Sequence, residues 1–166
     1  AWHHIIKCTQ FLSKIKNKKL LKKFSSRGIR EATGTLLQNN IERRAFEIAE
    51  NKNTMDGWEY FIKKFPEAKK QPDALENRNA LAFNAAKQNF SYESFKDFMQ
   101  KYPNASQLPE AKKLYESLLY KTLTQANTWK AFKEFIDKHP DSPYADEARS
   151  NYEKLLYEDF AQKNTA

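Results

Sequence analysis

"FIKKFPEA", residues 61–68, returns as "FMQKYPNA" at 98–105 and as "FIDKHPDS" at 135–142, each time after 37 residues. Reading down that register, Trp58, Phe95 and Phe132 align, and so do Phe61, Phe98 and Phe135. Ile62, Met99 and Ile136 follow, then Phe65, Tyr102 and His139, then Pro66, Pro103 and Pro140. The apolar columns fall at i, i+3, i+4 and i+7, the stripe of a short amphipathic helix; strand alternation does not fit them. The column ahead of the stripe reads Thr54, Ser91 and Thr128. Such hydroxyls cap helices by accepting a bond from an unpaired backbone N–H of the first turn. The proline column ends the helix, because the residue before proline is pushed out of the α region. Short helices are therefore expected near 54–65, 91–102 and 128–139.

A second, longer helix is expected after each proline. Its small-residue column is Ala74, Ala111 and Ala148, where another backbone can approach closely. Tyr115, Leu118, Leu119 and Leu123 match Tyr152, Leu155, Leu156 and Phe160, with a weaker first copy in Arg78, Leu81, Ala82 and Ala86. Pro72 and Pro109 lie near the first turn of this helix, where a missing N–H does no harm. Stepping the cap column outward reaches Asn17 and Thr165, and "KKLLKKF" after Asn17 places Leu21 under Trp58 and Phe24 under Phe61. Residues 1–53 thus read as a degenerate, basic repeat region. Residues 54–166 read as three units, 54–90, 91–127 and 128–166, in one continuous array of about nine helices overall, long and short alternating. Because Thr165 stands in the cap column, the array is expected to be a fragment that continues in a longer protein.

Composition agrees with an all-α chain. Forty per cent of the 166 residues are hydrophobic, enough for a packed core, while three glycines and six prolines are too few for a turn-rich β fold. No apolar run is long enough to cross a bilayer. The only cysteine, Cys8, excludes an intrachain disulfide and a thiolate zinc cage. The net charge of +8 is unevenly placed: residues 1–70 carry 16 Lys and Arg against 7 Asp and Glu, and the first 30 residues contain nine basic residues and no acid. The basicity belongs to the first segment and not to the repeats.

The pattern aromatic–x–x–Phe–x–x–x–aromatic–Pro–x–Ala/Ser, with alanine eight residues after the proline, resembles tetratricopeptide (TPR) repeats over 54–160. "FKEFIDKHPDSPYADEA" in particular resembles the divergent TPRs of Gram-negative cell-envelope proteins, among them the outer-membrane β-barrel assembly lipoprotein and the periplasmic coordinator of the Tol–Pal system. The period here is 37 residues where TPRs use 34, and no recurring basic and Asn pair forms a peptide-carboxylate clamp. The resemblance implies a right-handed superhelical solenoid of antiparallel helix hairpins. It also implies a non-enzymatic protein–protein interaction scaffold in a periplasmic, outer-membrane-associated assembly, with a cytoplasmic location as the alternative.

No catalytic, cofactor or metal site is expected. His3 and His4 are adjacent, so on a helix they diverge by about 100°. His139 shares a column with Phe65 and Tyr102 and reads as a packing residue. Cys8 sits in the stripe Ile5, Cys8, Leu12, Ile15 and reads as a small buried side chain. The one stretch with functional character is "KIKNKKLLKKFSSRGIR" at 14–30, where Lys14, Lys16, Lys18, Lys19, Lys22, Lys23, Arg27 and Arg30 surround Ile15, Leu20, Leu21 and Phe24. Three readings compete for it: a solvated helix face, a basic amphipathic surface for an acidic protein partner or anionic lipid, and a nucleic-acid contact. The expected partners are proteins, including the rest of the parent protein; the alternative is a basic module that binds nucleic acid or anionic membrane.

Overall fold

The structure is a computed structural model that describes residues 31–164, with side chains from Thr35 onward, together with His3, Ile6, Lys7 and Gln10. The described residues contain no strand. From residue 31 to residue 164, seven helices run in order: α1 Glu31–Lys52, α2 Met55–Lys64, α3 Gln71–Asn89, α4 Tyr92–Lys101, α5 Leu108–Leu123, α6 Trp129–Lys138 and α7 Ala145–Asn164. Long and short helices alternate, each short one being 10 residues long. The expectations for Cys8, His4, the basic run 14–30, the early copy after Asn17, and Thr165 lie outside the described residues.

The short helices begin where hydroxyls stand. Thr54, Ser91 and Thr128 are extended, and their side chains accept the backbone N–H of Gly57, Ser94 and Ala131. Each such bond satisfies one of the donors a helix start leaves unpaired. At Ser91 the bond is reciprocal, since the Ser94 hydroxyl also takes the Ser91 N–H at 3.4 Å. The short helices also end alike. Phe65, Tyr102 and His139 each precede proline and sit near φ −130 and ψ 58, donating to Phe61, Phe98 and Phe135 carbonyls at 2.9, 2.9 and 2.8 Å. Proline's ring disfavours the α region for these residues and stops the helix there. The turn then closes through Ala68 to Phe65, Ala105 to Tyr102 and Ser142 to His139, at 3.1, 3.0 and 3.2 Å. Pro66, Pro103 and Pro140 are exposed. Their part in the repeat is in the backbone, where each ends its short helix, and not in the packing of side chains.

Two compact units divide the chain, residues 1–82 and 83–166. In the first, Ile41, Ala45, Phe46 and Ala49 of α1 pack with Trp58 and Phe61 of α2 and with Phe65 just after it, and Ala68 and Ala74 complete the cluster. The Phe46 ring meets Trp58 edge-on at 5.2 Å and Phe61 at 5.5 Å. Edge-to-face contact suits ring quadrupoles and adds to the area buried. In the second unit, Phe83 meets Phe95 and Phe98 of α4 at 6.1 and 5.3 Å. Further along, Leu119 and Tyr120 of α5 pack with Phe132 and Phe135 of α6 and Ala148 of α7. Ala74, Ala111 and Ala148 of the small column are fully buried.

The turns that lead into the short helices carry backbone strain at one position. Asn53, Phe90 and Asn127 have φ of 43, 47 and 47. Asparagine tolerates the left-handed region because its amide bonds locally, but phenylalanine does not. Phe90 is also 59% exposed, so its ring gains little in compensation. Phe90→Asn, which copies the other two turns, is expected to stabilise the protein by about 1 kcal/mol, the order of the left-handed penalty. A urea midpoint that rises with unchanged slope checks this, and a fall would show that the Phe90 ring makes contacts worth more than the strain.

Candidate interaction surfaces

With the hairpin cores occupied by aromatic side chains, the chemistry available to this chain lies on its helix faces. Several exposed charges pair with a neighbour three or four residues away. Arg43 and Arg44 hold the Glu47 carboxylate at 2.6 and 2.8 Å, Lys133 reaches Asp137 at 2.9 Å, and Lys163 reaches Asp159 at 2.8 Å. Exposed pairs of this kind contribute little to stability, about 0–1 kcal/mol. They do fix protonation. The hydrogen bond from Arg44, with help from Arg43, holds the Glu47 carboxyl below the usual carboxylate range. Lys163 does the same for Asp159, and Asp137 pushes the Lys133 ammonium up. Such groups stay ionised near neutral pH, which makes them poor proton-transfer catalysts there.

In the first unit a cavity of about 510 Å³ opens between α1 and the segment after α2, lined by Phe46, Glu47, Glu50, Ala68, Lys69 and Lys70 among others. The Lys70 ammonium lies 5.4 Å from the centre of the Phe46 ring and pairs with Asp73. That bond with Asp73 raises its pKa. In the second unit a shallower cavity of about 360 Å³ is lined by Trp129, Lys130, Leu155, Glu158 and Asp159. The Trp129 ring meets Tyr152 at 6.5 Å. Both cavities mix apolar floor with charges of both signs, and neither pairs a nucleophile with a base.

The best-organised polar group is Tyr120. Its ring stacks on Tyr144 at 4.9 Å and 7°, its hydroxyl donates to Glu147 Oε1 at 3.1 Å, and Asn151 Nδ2 donates to that hydroxyl at 3.3 Å. Burial pushes the phenol pKa up, reinforced by Glu147. The arrangement ties α5 to α7 within the second unit and is structural in character.

Trp58, Phe61, Phe95, Phe98, Phe132 and Phe135 are all buried. His139 is half-buried with its ring 5.3 Å from Phe135, a packing position. The basic run from Lys14 to Arg30 lies outside the described residues; residues 31–164 carry 20 Lys and Arg against 21 Asp and Glu. Among the described residues no group of three His, Cys, Asp or Glu is placed to hold a metal ion, and no helix is long and apolar enough to cross a membrane. Column reading missed Phe46, Phe83, Tyr120 and Tyr157 on the long helices, although an aromatic residue recurs there every 37 residues. Comparison with protein-family models, curated proteins and solved structures returned no match.

Proposed function

We propose that this chain is a non-enzymatic, TPR-like repeat scaffold that binds protein partners, built as a right-handed solenoid of helix hairpins with a 37-residue period. What supports the reading is one observation: a capped 10-residue helix, an aromatic pair and a pre-proline stop with the same backbone angles occur three times. Repeated units of this kind present extended surfaces, and their structural side chains face inward, which leaves the helix faces free for recognition. A place in a bacterial cell-envelope assembly follows from the sequence resemblance and is part of the same proposal. The second reading is a basic module for anionic membrane or nucleic acid, favoured by the nine basic residues without an acid in the first 30.

One experiment separates these readings. Lys18, Lys19, Lys22 and Lys23 are replaced by Gln, and binding to envelope extract, anionic vesicles and nucleic acid is measured at low and high salt. Attraction between exposed charges is screened beyond about 8–10 Å at ordinary ionic strength, so a contact made by this run should weaken with salt. The expected result is loss of salt-sensitive capture of a protein partner, with vesicle and nucleic-acid binding unchanged. Loss of vesicle or nucleic-acid binding instead selects the second reading. If nothing changes, the run is a solvated helix face.

A further inference from the structure

The long helices carry an aromatic side chain in a fixed register, and each of the first three is covered by the short helix that follows it. Phe46 is 7% exposed beneath Trp58 and Phe61, Phe83 is 5% exposed beneath Phe95 and Phe98, and Tyr120 is 8% exposed beneath Phe132 and Phe135. Tyr157 on α7 stands in the same register and is 76% exposed. Its neighbour Phe160, 56% exposed, stands in the column of the buried Ala49 and Ala86 and of Leu123, which is 37% exposed. Large apolar side chains this open on one helix face mark an interface.

The three covered copies describe the occupant. In each, the covering helix has a Ser or Thr cap and presents aromatic side chains four and seven residues after it. A polar detail belongs to the third copy alone, since Ala68 and Ala105 stand where Ser142 does. Glu116 on α5 accepts the Ser142 hydroxyl, seven residues beyond Phe135, at 3.1 Å. Glu153 on α7 is in register with Glu116 and exposed. We propose that the Tyr157–Phe160 face of α7 is a docking surface for a partner helix of that chemistry: hydroxyl-capped, amphipathic, and aromatic at the fourth and seventh positions. Among the described residues a second copy of the chain offers no free helix of this kind, because α2, α4 and α6 already bury their aromatic pairs on their own long helices. The inference rests on the repeat-scaffold reading and names the partner of one of its faces.

The probe is a synthetic peptide of residues 127–142, the α6 segment with its cap, both aromatic side chains and Ser142. It is titrated into ¹⁵N-labelled protein, and amide shifts are followed. The expected result is perturbation confined to the α7 face around 153–160. Tyr157→Ala should weaken binding about tenfold or more, a loss typical of an anchoring aromatic. A peptide with both Phe132 and Phe135 replaced by Ala should leave the spectrum unchanged. Since Tyr157 is exposed, its variant should keep the parent's melting temperature, which separates lost docking from lost folding. The proposal is overturned if no shift appears at about 1 mM peptide, the weak end of specific binding. It is also overturned if shifts fall elsewhere, or if the free protein self-associates through Tyr157 and the peptide does not compete. None of these failures touches the lysine-to-glutamine experiment, so the scaffold reading stands or falls separately.

Discussion

Trp58→Ala is expected to lower the unfolding free energy by about 3–5 kcal/mol, as truncation of a large buried ring does. Trp58 is 1% exposed, and its removal leaves Phe46 without the edge contact at 5.2 Å. It also removes a polar tie. The indole N–H donates to Asn53 Oδ1 at 3.0 Å, and Asn53 is the left-handed residue of the turn that feeds α2. Core and turn are thus joined through one side chain. Trp58→Phe separates the two contributions, since phenylalanine is the residue at 95 and 132 and retains most of the ring contact. Its expected cost is about 1 kcal/mol, the worth of one net hydrogen bond. A double-mutant cycle with Asn53→Gly, which keeps the turn's backbone conformation available, should return a coupling of that size. Urea unfolding measures all of these. A loss below about 1 kcal/mol for Trp58→Ala would place the indole outside the core.

How much of this was legible in the sequence differs between short and long helices, and the reason is geometric. A short helix such as α6 buries one stripe, so Phe132 and Phe135 fall at helical spacing and the cap and proline frame them. A long helix such as α5 meets neighbours on more than one side. Tyr115 faces Tyr92 of α4 at 6.3 Å, whereas Tyr120 faces Phe135 of α6 and Tyr144 at the start of the α7 hairpin arm. Its apolar residues are spread around the axis, no single stripe stands out, and Tyr120 was read as neither stripe nor column. Phe83 was hidden differently, between Ala82 and Asn84 in a helix whose other apolar positions are mostly alanine. The strain at Phe90 was invisible too, because nothing in an isolated "NFS" signals a positive φ, while the "NT" pairs at 53 and 127 carry the residue such a turn favours. The surfaces are harder again. Periodicity predicts which side of a helix is apolar, but the exposure of Tyr157 depends on what covers it, which is a property of packing and not of α7 itself.

Tyr120→Ala carries the other large expected effect, a loss of about 3–5 kcal/mol from truncating a buried ring. Three contacts converge on this residue: the Phe135 ring at 5.2 Å, the parallel Tyr144 ring at 4.9 Å, and the hydroxyl network to Glu147 and Asn151. Tyr120→Phe keeps the rings and removes only the hydroxyl, so it should cost about 1 kcal/mol, with more if the Glu147 carboxylate accepts with its charge. The two variants also differ in pH dependence. Burial, reinforced by Glu147, raises the phenol pKa in the folded state, so folding favours the neutral phenol. The stability this supplies is fully present below the ordinary tyrosine pKa of about 10 and is lost as pH rises through the higher folded value. Between about pH 6 and pH 8 the phenol therefore adds no slope of its own. Above that range the parent should lose stability faster than Tyr120→Phe, which has no proton to release at this position. Unfolding free energies measured across the alkaline range in both proteins give the test. Parallel curves would mean that the Tyr120 hydroxyl ionises as readily in the folded protein as in the unfolded chain, and that burial and Glu147 do not outweigh the Asn151 hydrogen bond, which favours the ionised form.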